Sequence, residues 1–416
     1  MEKYVIKGGK KLSGKIEIES AKNAVLPILA GCILTEKEVV IKNCPKIIDV
    51  LNMIKILNEI GVKTRYEEKN LIVDASTING FKIPKELSKE LRSSIFTLGA
   101  LIARLNRAVV AYPGGCDIGI RPIDIHLTAL KELGVKIEEH GGEISCVSSG
   151  VVGKEIFLDF PSVGATENVI LASVFCTGKT IIRNCAREPE IIDLMNFLNK
   201  LGANVVGAGS NTIEITGVKK LNGCTYKPIS DRIEAGTYLI STAITGGEIE
   251  IHNSNSKNIS SLLHKISNNT CKITINNDII YYKFGGIRKS INVSTNPYPA
   301  FPTDLQAQIT ALSCVSHGTS FITENVFEMR FKHVPELVKM GARISVYGKT
   351  AVVNGIEQLN GAPVTAQDLR GGAGLVLAGL NANGVTEVYG VKHIERGYFN
   401  LVEKLVSLGA DIRKEF

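Results

Sequence analysis

Cys116 lies in the segment PGGCDIGIRP at 113–122, directly after two adjacent glycines and five residues before Arg121. Paired glycines open backbone conformations closed to other residues, so the segment reads as a lid-like loop. Arginine and lysine near a thiol pull its pKa below the ordinary value of about 8.5, and an anionic substrate that cancels those charges returns it to a proton donor. A surface loop with an incidental thiol is the plainer alternative. SAKNAVLPILA at 20–30 sets Lys22 and Asn23 at the start of an apolar helix, where backbone N–H groups favour an anion. The simpler reading there is a Ser20 cap beside a solvated lysine. FPTDLQAQ at 301–308 puts Asp304 at another helix start, as a stabilising N-terminal acid or as a general base. QDLRGGAGLVLAG at 367–379 places Asp368 and Arg370 before a glycine-rich helix entry. It lacks the GK[ST] of a nucleotide-binding P-loop, and its later glycines read as close helix packing. LRSSIFTLGALIA at 91–103 heads an apolar helix with Arg92, and DFPSVGATENV at 159–169 is a Gly-containing turn into a helix.

These segments recur within a repeated frame. One phrase, an apolar helix-like run closing on Gly and a small or branched residue, appears as LNEIGVK at 57–63, LKELGVK at 130–136, LNKLGAN at 198–204, LVKMGAR at 337–343 and LVSLGAD at 405–411. Its glycines, Gly61, Gly134, Gly202, Gly341 and Gly409, are 73, 68, 139 and 68 residues apart. The long interval is a double step, and a worn sixth copy falls near Thr270 in ISNNTCKITI. The chain therefore reads as six units of about 69 residues, each predicted to hold a helix with a left-handed glycine cap that feeds a strand. Each unit opens with a predicted strand, such as KEVVIKN at 37–43 or KTIIRN at 179–184, and a loop precedes its helix. Four of those loops carry arginine, at Arg121, Arg187, Arg330 and Arg396. Equivalent loops of a repeat protein share a rim, and arginines gathered there suit phosphate or carboxylate, which the planar guanidinium grips with two donors. A linker signal, NGCTYKPISDRIEAG at 222–236, favours two groups of three units in a mixed α/β class.

Composition narrows the class further. With 44% hydrophobic and 21% charged residues, the 416-residue chain is an ordinary globular one, long enough for two or three domains. A net charge of +7, spread among acidic neighbours, argues against a nucleic-acid platform and permits an anionic small substrate. The N-terminus has no apolar signal region, and AVLPILAGCIL at 24–34 is too short to span a bilayer, so a cytoplasmic location is expected. Nine cysteines show no CxxC pair, which argues against a disulfide framework or a structural zinc site.

Taken in order, SAKNA, LRSSI, PGGCDIGIRPIDIH, PSVGATEN, AREPEI, DRIEAGT, FPTDLQAQ, FEMRFKHVPEL, DLRGGAGLVLAG and IERGY resemble the UDP-N-acetylglucosamine enolpyruvyl transferase family, over residue 4 to about 411. The resemblance implies two inside-out α/β barrels of three repeats each, one over 21–229 and one over 1–20 plus 230–416. It places the active site in the cleft between them, closed by the Cys116 loop. It implies transfer of the enolpyruvyl group of phosphoenolpyruvate to the 3-hydroxyl of UDP-N-acetylglucosamine with release of phosphate, the first committed step of peptidoglycan synthesis. No metal or organic cofactor, nucleic acid or membrane is implied. By position, Lys22, Arg121 and Arg396 would hold the phosphate of phosphoenolpyruvate with Asn23 beside them, and Arg330 and Arg370 its carboxylate. Cys116 would protonate the methylene carbon and be the target of fosfomycin; Asp304 would take the sugar hydroxyl proton. Asn23, Arg92, Arg121, Pro122, Ile123, Asp124, Ile125, Phe160, Pro161, Ser162, Val163, Asp304 and Val326 would line the UDP-sugar site, with Asp368 supporting the reacting centre. Two alternatives share features of the chain. The sister enzyme acting on shikimate phosphate has the repeats and arginines but not the Cys loop. A non-catalytic UDP-sugar-binding regulator would be expected to lack a site residue.

Overall fold

In a computed structural model, residues 2–112, 114, 123–267 and 271–416 are described. They form two compact units, one from Ser20 to Ile229 and one combining the chain through Glu19 with Ser230–Phe416. Each unit contains three small sheets, all on one plan. In the first, Val39–Ile41 runs antiparallel to Asn70–Asp74, which pairs in turn with Lys63–Glu67, and Cys224–Tyr226 adds a parallel edge. Lys179–Arg183, Glu248–His252, Thr319–Thr323 and Val385–Tyr389 occupy the same position as Val39–Ile41, each between a parallel edge strand and an antiparallel neighbour. Arg107–Ala111 has the antiparallel neighbour and a single parallel bridge at Lys82↔Val109.

Distant strands complete three of the sheets. Cys224–Tyr226, within the segment read as a linker, edges the first sheet; the actual crossing between units falls at Ile229–Ser230. Ser13–Glu17 edges the sheet of Glu248–His252. Lys3–Lys7 lies between Val385–Tyr389 and Asp411–Glu415, antiparallel to both.

The five repeated glycines all have φ between +89° and +103°. At each, the glycine N–H reaches the carbonyl three residues back and the following N–H reaches the carbonyl five back, as at Gly61 with Asn58 and Val62 with Leu57. This is the Schellman-type end that only glycine adopts without strain. The sixth phrase, at Thr270, lies outside the described residues; the flanking helix Ser260–Ser267 and strand Cys271–Asn276 keep the order of the other five.

Helices form the centre of each unit. Lys22–Gly31, Phe96–Leu105 and Val163–Ser173 pack together in one; Arg232–Thr245, Gln306–Cys314 and Leu369–Asn381 pack together in the other. They are enclosed on nearly all sides and bury polar as well as apolar side chains; Ile233–Thr245 and Gln306–Cys314 are buried without a break. Several of their hydroxyls bond within the helix: Thr237 donates to Ile233 O, Thr310 to Gln306 O and Ser313 to Ile309 O. Close approach requires glycine at two helix crossings. A Cβ on Gly99 would stand 2.3 Å from Asn168 O, and one on Gly374 would stand 2.9 Å from Ala307 O.

Candidate active site

The residues of the second unit make the denser cluster. Asp304 sits in a single 3-10 turn, Thr303–Leu305, that leads into the helix Gln306–Cys314. Its carboxylate accepts from Arg330 Nη2 at 2.8 Å and from Arg370 Nη2 at 3.2 Å. Both guanidinium groups are almost fully buried, at 4% and 3% side-chain exposure, against 26% for Asp304. Neither arginine uses all its donors: Arg330 Nε and Arg370 Nε and Nη1 are buried with no acceptor among the described residues. Burial works against the charge of Arg370, but Tyr398, Asp304 and Asp231 outweigh it and raise its pKa, so it stays protonated. A buried donor without a partner costs about 1–3 kcal/mol, so such a cluster is built to receive acceptor oxygens.

Of the residues that support this cluster, the resemblance gives a role to Asp368 and none to Glu324 or His333. Glu324, buried at the end of the strand Thr319–Thr323, accepts from Thr303 Oγ1 at 2.9 Å with one oxygen. With the other it accepts from the N–H groups of Val326 and Phe327, at 2.8 and 3.1 Å. One carboxylate thus ties the turn of Asp304 to the loop of Arg330, and fixes half-buried Val326 in that loop. His333 bonds through Nδ1 to Arg330 O at 3.2 Å. Burial, aided by the Arg330 charge and opposed by Asp368, lowers its pKa to about 4, so it stays neutral. Asp368 caps the helix Leu369–Asn381, accepting from Arg370 N and Gly371 N at 3.0 and 2.9 Å. The cap aims the first turn, and with it Arg370, at Asp304. Arg396 ends the short helix Val391–Glu395, half-buried, two residues before Tyr398.

In the first unit, Lys22 opens the helix Lys22–Gly31, but Ser20 does not cap it; the N-cap is Ala21, with no side-chain bond. Nor is Lys22 solvated: it is 13% exposed and pairs with buried Asp49 at 3.2 Å. Asn23 is half-buried beside it. Arg92 begins a 3-10 turn, Arg92–Ile95, half-buried. Ile123 is buried, while Asp124, exposed, and Ile125 begin the helix Asp124–Glu132. Phe160 is 44% exposed, Pro161 and Val163 are half-buried, and Ser162 caps the helix Val163–Ser173 through Ala165 N. Cys116, Arg121 and Pro122 lie outside the described residues. Buried Asn168 joins three helices: it accepts from Gly99 N, donates to Ile95 O and meets His126 Nδ1, each at 2.9 Å. Arg187, counted among the loop arginines, is exposed.

Eight described cysteines are free thiols, six of them buried. Among the described residues no group of three His, Cys, Asp or Glu side chains is placed to hold a metal ion, and no helix is long and apolar enough to cross a membrane.

Six sheets on one plan around two sets of buried helices, with paired arginines about a carboxylate, are the features of an anion-handling transferase of the enolpyruvyl class. The sequence profile of the EPSP synthase (3-phosphoshikimate 1-carboxyvinyltransferase) family matches residues 6–405. The fold agrees: the enolpyruvyl transferase NikO from Streptomyces tendae superposes with a TM-score of 0.89 at 24% identity, covering 99% of this chain and 98% of that one. EPSP synthase from Acinetobacter baumannii gives 0.79 at 16% identity over both full lengths. Higher identity is found with UDP-N-acetylglucosamine 1-carboxyvinyltransferase 2 of Caldanaerobacter subterraneus subsp. tengcongensis, 50% over 99% of each chain. UDP-N-acetylglucosamine 1-carboxyvinyltransferase 1 of Clostridium acetobutylicum is 44% identical over 100% of each. The chain belongs to the carboxyvinyltransferase family, within its UDP-N-acetylglucosamine branch.

Proposed function

We infer that the protein transfers the enolpyruvyl group of phosphoenolpyruvate to the 3-hydroxyl of UDP-N-acetylglucosamine and releases phosphate. Full-length identity of 44–50% to enzymes named for that sugar nucleotide supports this acceptor over shikimate phosphate. The observation that carries the chemistry is the buried pair Arg330 and Arg370, sharing Asp304 and keeping three donor nitrogens with no acceptor among the described residues. Those donors suit the carboxylate of phosphoenolpyruvate, held in a planar two-point grip.

Asp304 is the proposed base. While both guanidinium groups grip it, its lone pairs are committed. A substrate carboxylate that takes over those donors releases Asp304 to accept the proton of the sugar hydroxyl. The oxygen then adds to the central carbon of phosphoenolpyruvate as Cys116 protonates the methylene carbon. Loss of a proton from that carbon and departure of phosphate regenerate the double bond, now on the sugar. Lys22, Arg121 and Arg396, with Asn23, are assigned to the phosphate, whose fixed cations stabilise the developing charge. A positioned acid and base each contribute roughly 10²–10⁴-fold. Asn23, Arg92, residues 121–125, residues 160–163, Asp304 and Val326 are assigned to the UDP-sugar, and Asp368 to support of Arg370.

The test is phosphate release from phosphoenolpyruvate with UDP-N-acetylglucosamine, and separately with shikimate phosphate. Release with the nucleotide sugar alone is expected. Release only with shikimate phosphate, or binding of the nucleotide sugar without turnover, would overturn the reading.

A further inference from the structure

Tyr398 has no role in the assignments above, yet it contacts Arg370 and, through Gln308, is linked to the backbone of Asp304. Its side chain is buried, 3% exposed, and the guanidinium of Arg370 lies 5.2 Å from the centre of its ring. A cation over an aromatic face is attracted to it, more so where water is excluded. Arg370 thus rests on Tyr398 on one side and reaches Asp304 on the other.

The hydroxyl of Tyr398 meets Thr237 Oγ1 at 2.8 Å and Gln308 Nε2 at 3.1 Å. The directions of these bonds follow from their neighbours. Gln308 Nε2 also lies 3.0 Å from Asp304 O, and a carbonyl can only accept, so the amide faces that way and donates. Thr237 places its own proton on Ile233 O at 2.8 Å. Tyr398 therefore donates to Thr237 Oγ1, and the second proton of Gln308 Nε2 is shared between the Tyr398 hydroxyl oxygen at 3.1 Å and Thr237 Oγ1 at 3.2 Å. The ring, the hydroxyl and the amide form one buried chain that runs from Arg370 to the backbone of Asp304. Residues from three central helices contribute: Thr237, Gln308 and Arg370. Tyr398 also stands two residues from Arg396, and Gly397 between them packs against Leu369, where an added Cβ would come within 2.7 Å of Cδ2.

We propose that Tyr398 is a positioning residue for the transfer: its ring carries Arg370, and its hydroxyl, through Gln308, fixes the turn that bears Asp304. This rests on the roles given to Asp304 and Arg370 above. The hydroxyl governs the placement of the base, so it acts on turnover. The ring governs the placement of the cation, so it acts on phosphoenolpyruvate binding.

Steady-state kinetics of the full chain with both substrates separate these effects, with melting followed in parallel. Tyr398→Phe keeps the ring and removes the hydroxyl; it is expected to lower kcat roughly three- to tenfold, as loss of one buried hydrogen bond does, and to leave KM for UDP-N-acetylglucosamine unchanged. Tyr398→Leu removes the ring as well and is expected to raise KM for phosphoenolpyruvate beyond the Phe variant. Tyr398→Phe combined with Gln308→Leu is expected to be no slower than the slower single variant, because both break one link. Should Tyr398→Phe fail to fold, Thr237→Val removes the acceptor of the same hydroxyl and carries the same expectation. A Phe variant with wild-type kcat, or losses that multiply in the double variant, would overturn the proposal. A wild-type enzyme without turnover would overturn the functional reading beneath it, whereas wild-type turnover with an unaltered Phe variant sinks the positioning role alone.

Discussion

Asp304→Asn separates the two jobs of that carboxylate, neutralising buried arginines and accepting a proton. The wild-type side chain accepts from Arg330 at 2.8 Å and from Arg370 at 3.2 Å. The amide retains one acceptor oxygen and turns an N–H₂ group, which can only donate, toward the other guanidinium. Each charge-assisted bond is worth about 1.5–3 kcal/mol, so the two give about 3–6 kcal/mol. A quarter of the Asp304 side chain is exposed, 26%, and solvent screening reduces the loss to about 2–4 kcal/mol. In a unit of about two hundred residues each kcal/mol shifts melting by about 2–4 °C, so a fall of about 5–15 °C is expected. Scanning calorimetry with and without phosphoenolpyruvate is the assay. The substrate carboxylate supplies the missing anion, so saturating phosphoenolpyruvate should raise the variant's melting temperature more than the wild type's. Turnover should fall roughly 10²–10⁴-fold, as for loss of a general base. An unchanged melting temperature, or a variant that no longer responds to phosphoenolpyruvate, would refute the reasoning.

Arg396→Ala is expected to weaken phosphoenolpyruvate binding about tenfold or more and leave UDP-N-acetylglucosamine binding intact, read by calorimetric titration of each; equal loss of both would remove its assignment to the phosphate. Fosfomycin is expected to inactivate the wild type with an adduct on Cys116 visible by mass spectrometry, and Cys116→Asp to be active and insensitive; an inactive Asp variant would count against the proton-donor role. Asn168→Ala removes bonds to Gly99 N, Ile95 O and His126, and is expected to cost about 2–4 kcal/mol in denaturant unfolding. Burial raises the pKa of Glu234 from 4.5 to about 7 against the pull of Lys404. A carboxyl whose pKa is higher folded than unfolded loses stability as pH rises between the two values. The Glu234→Gln melting temperature relative to wild type should therefore climb from pH 4.5 to about 7 and then level off; a flat difference would show that Glu234 does not titrate there.

Local features of the fold were legible where a residue type has one structural use. The glycines of the repeated phrase had to adopt positive φ, and all five do. The six opening strands were marked by β-branched runs bounded by turn residues. Pairing over long sequence distance was not legible: nothing in KYVIK says that Lys3–Lys7 joins strands near the other end of the chain. The segment at 222–236 read as a linker because Gly, Pro and Ser punctuate it, yet Cys224–Tyr226 completes a sheet. Site residues drew notice through charge at helix starts, but their partners did not. Asp304 alone is indistinguishable from an ordinary helix-capping acid, and only the fold brings Arg330 and Arg370 to it. No role could be read for Glu324, Gln308 and Thr237, although Gln308 and Thr237 stand in FPTDLQAQ and DRIEAGT, because nothing in their spacing says what they bond. Arg187 shares its loop position with Arg330, but one is exposed and the other buried; composition cannot tell them apart.

The strand Lys3–Lys7 pairs on one side with Val385–Tyr389 and on the other with Asp411–Glu415. A ribosome makes it well before either partner, both of which lie more than 370 residues further on. The described residues between Ser20 and Ile229 form a unit that lies, in sequence, between the two parts of its neighbour. During synthesis the intervening unit can therefore assemble while the early strand waits, and that strand's sheet cannot close until Asp411–Glu415 has been made. Loss of Asp411–Glu415 would leave Lys3–Lys7 as an open edge, ready to pair with another chain.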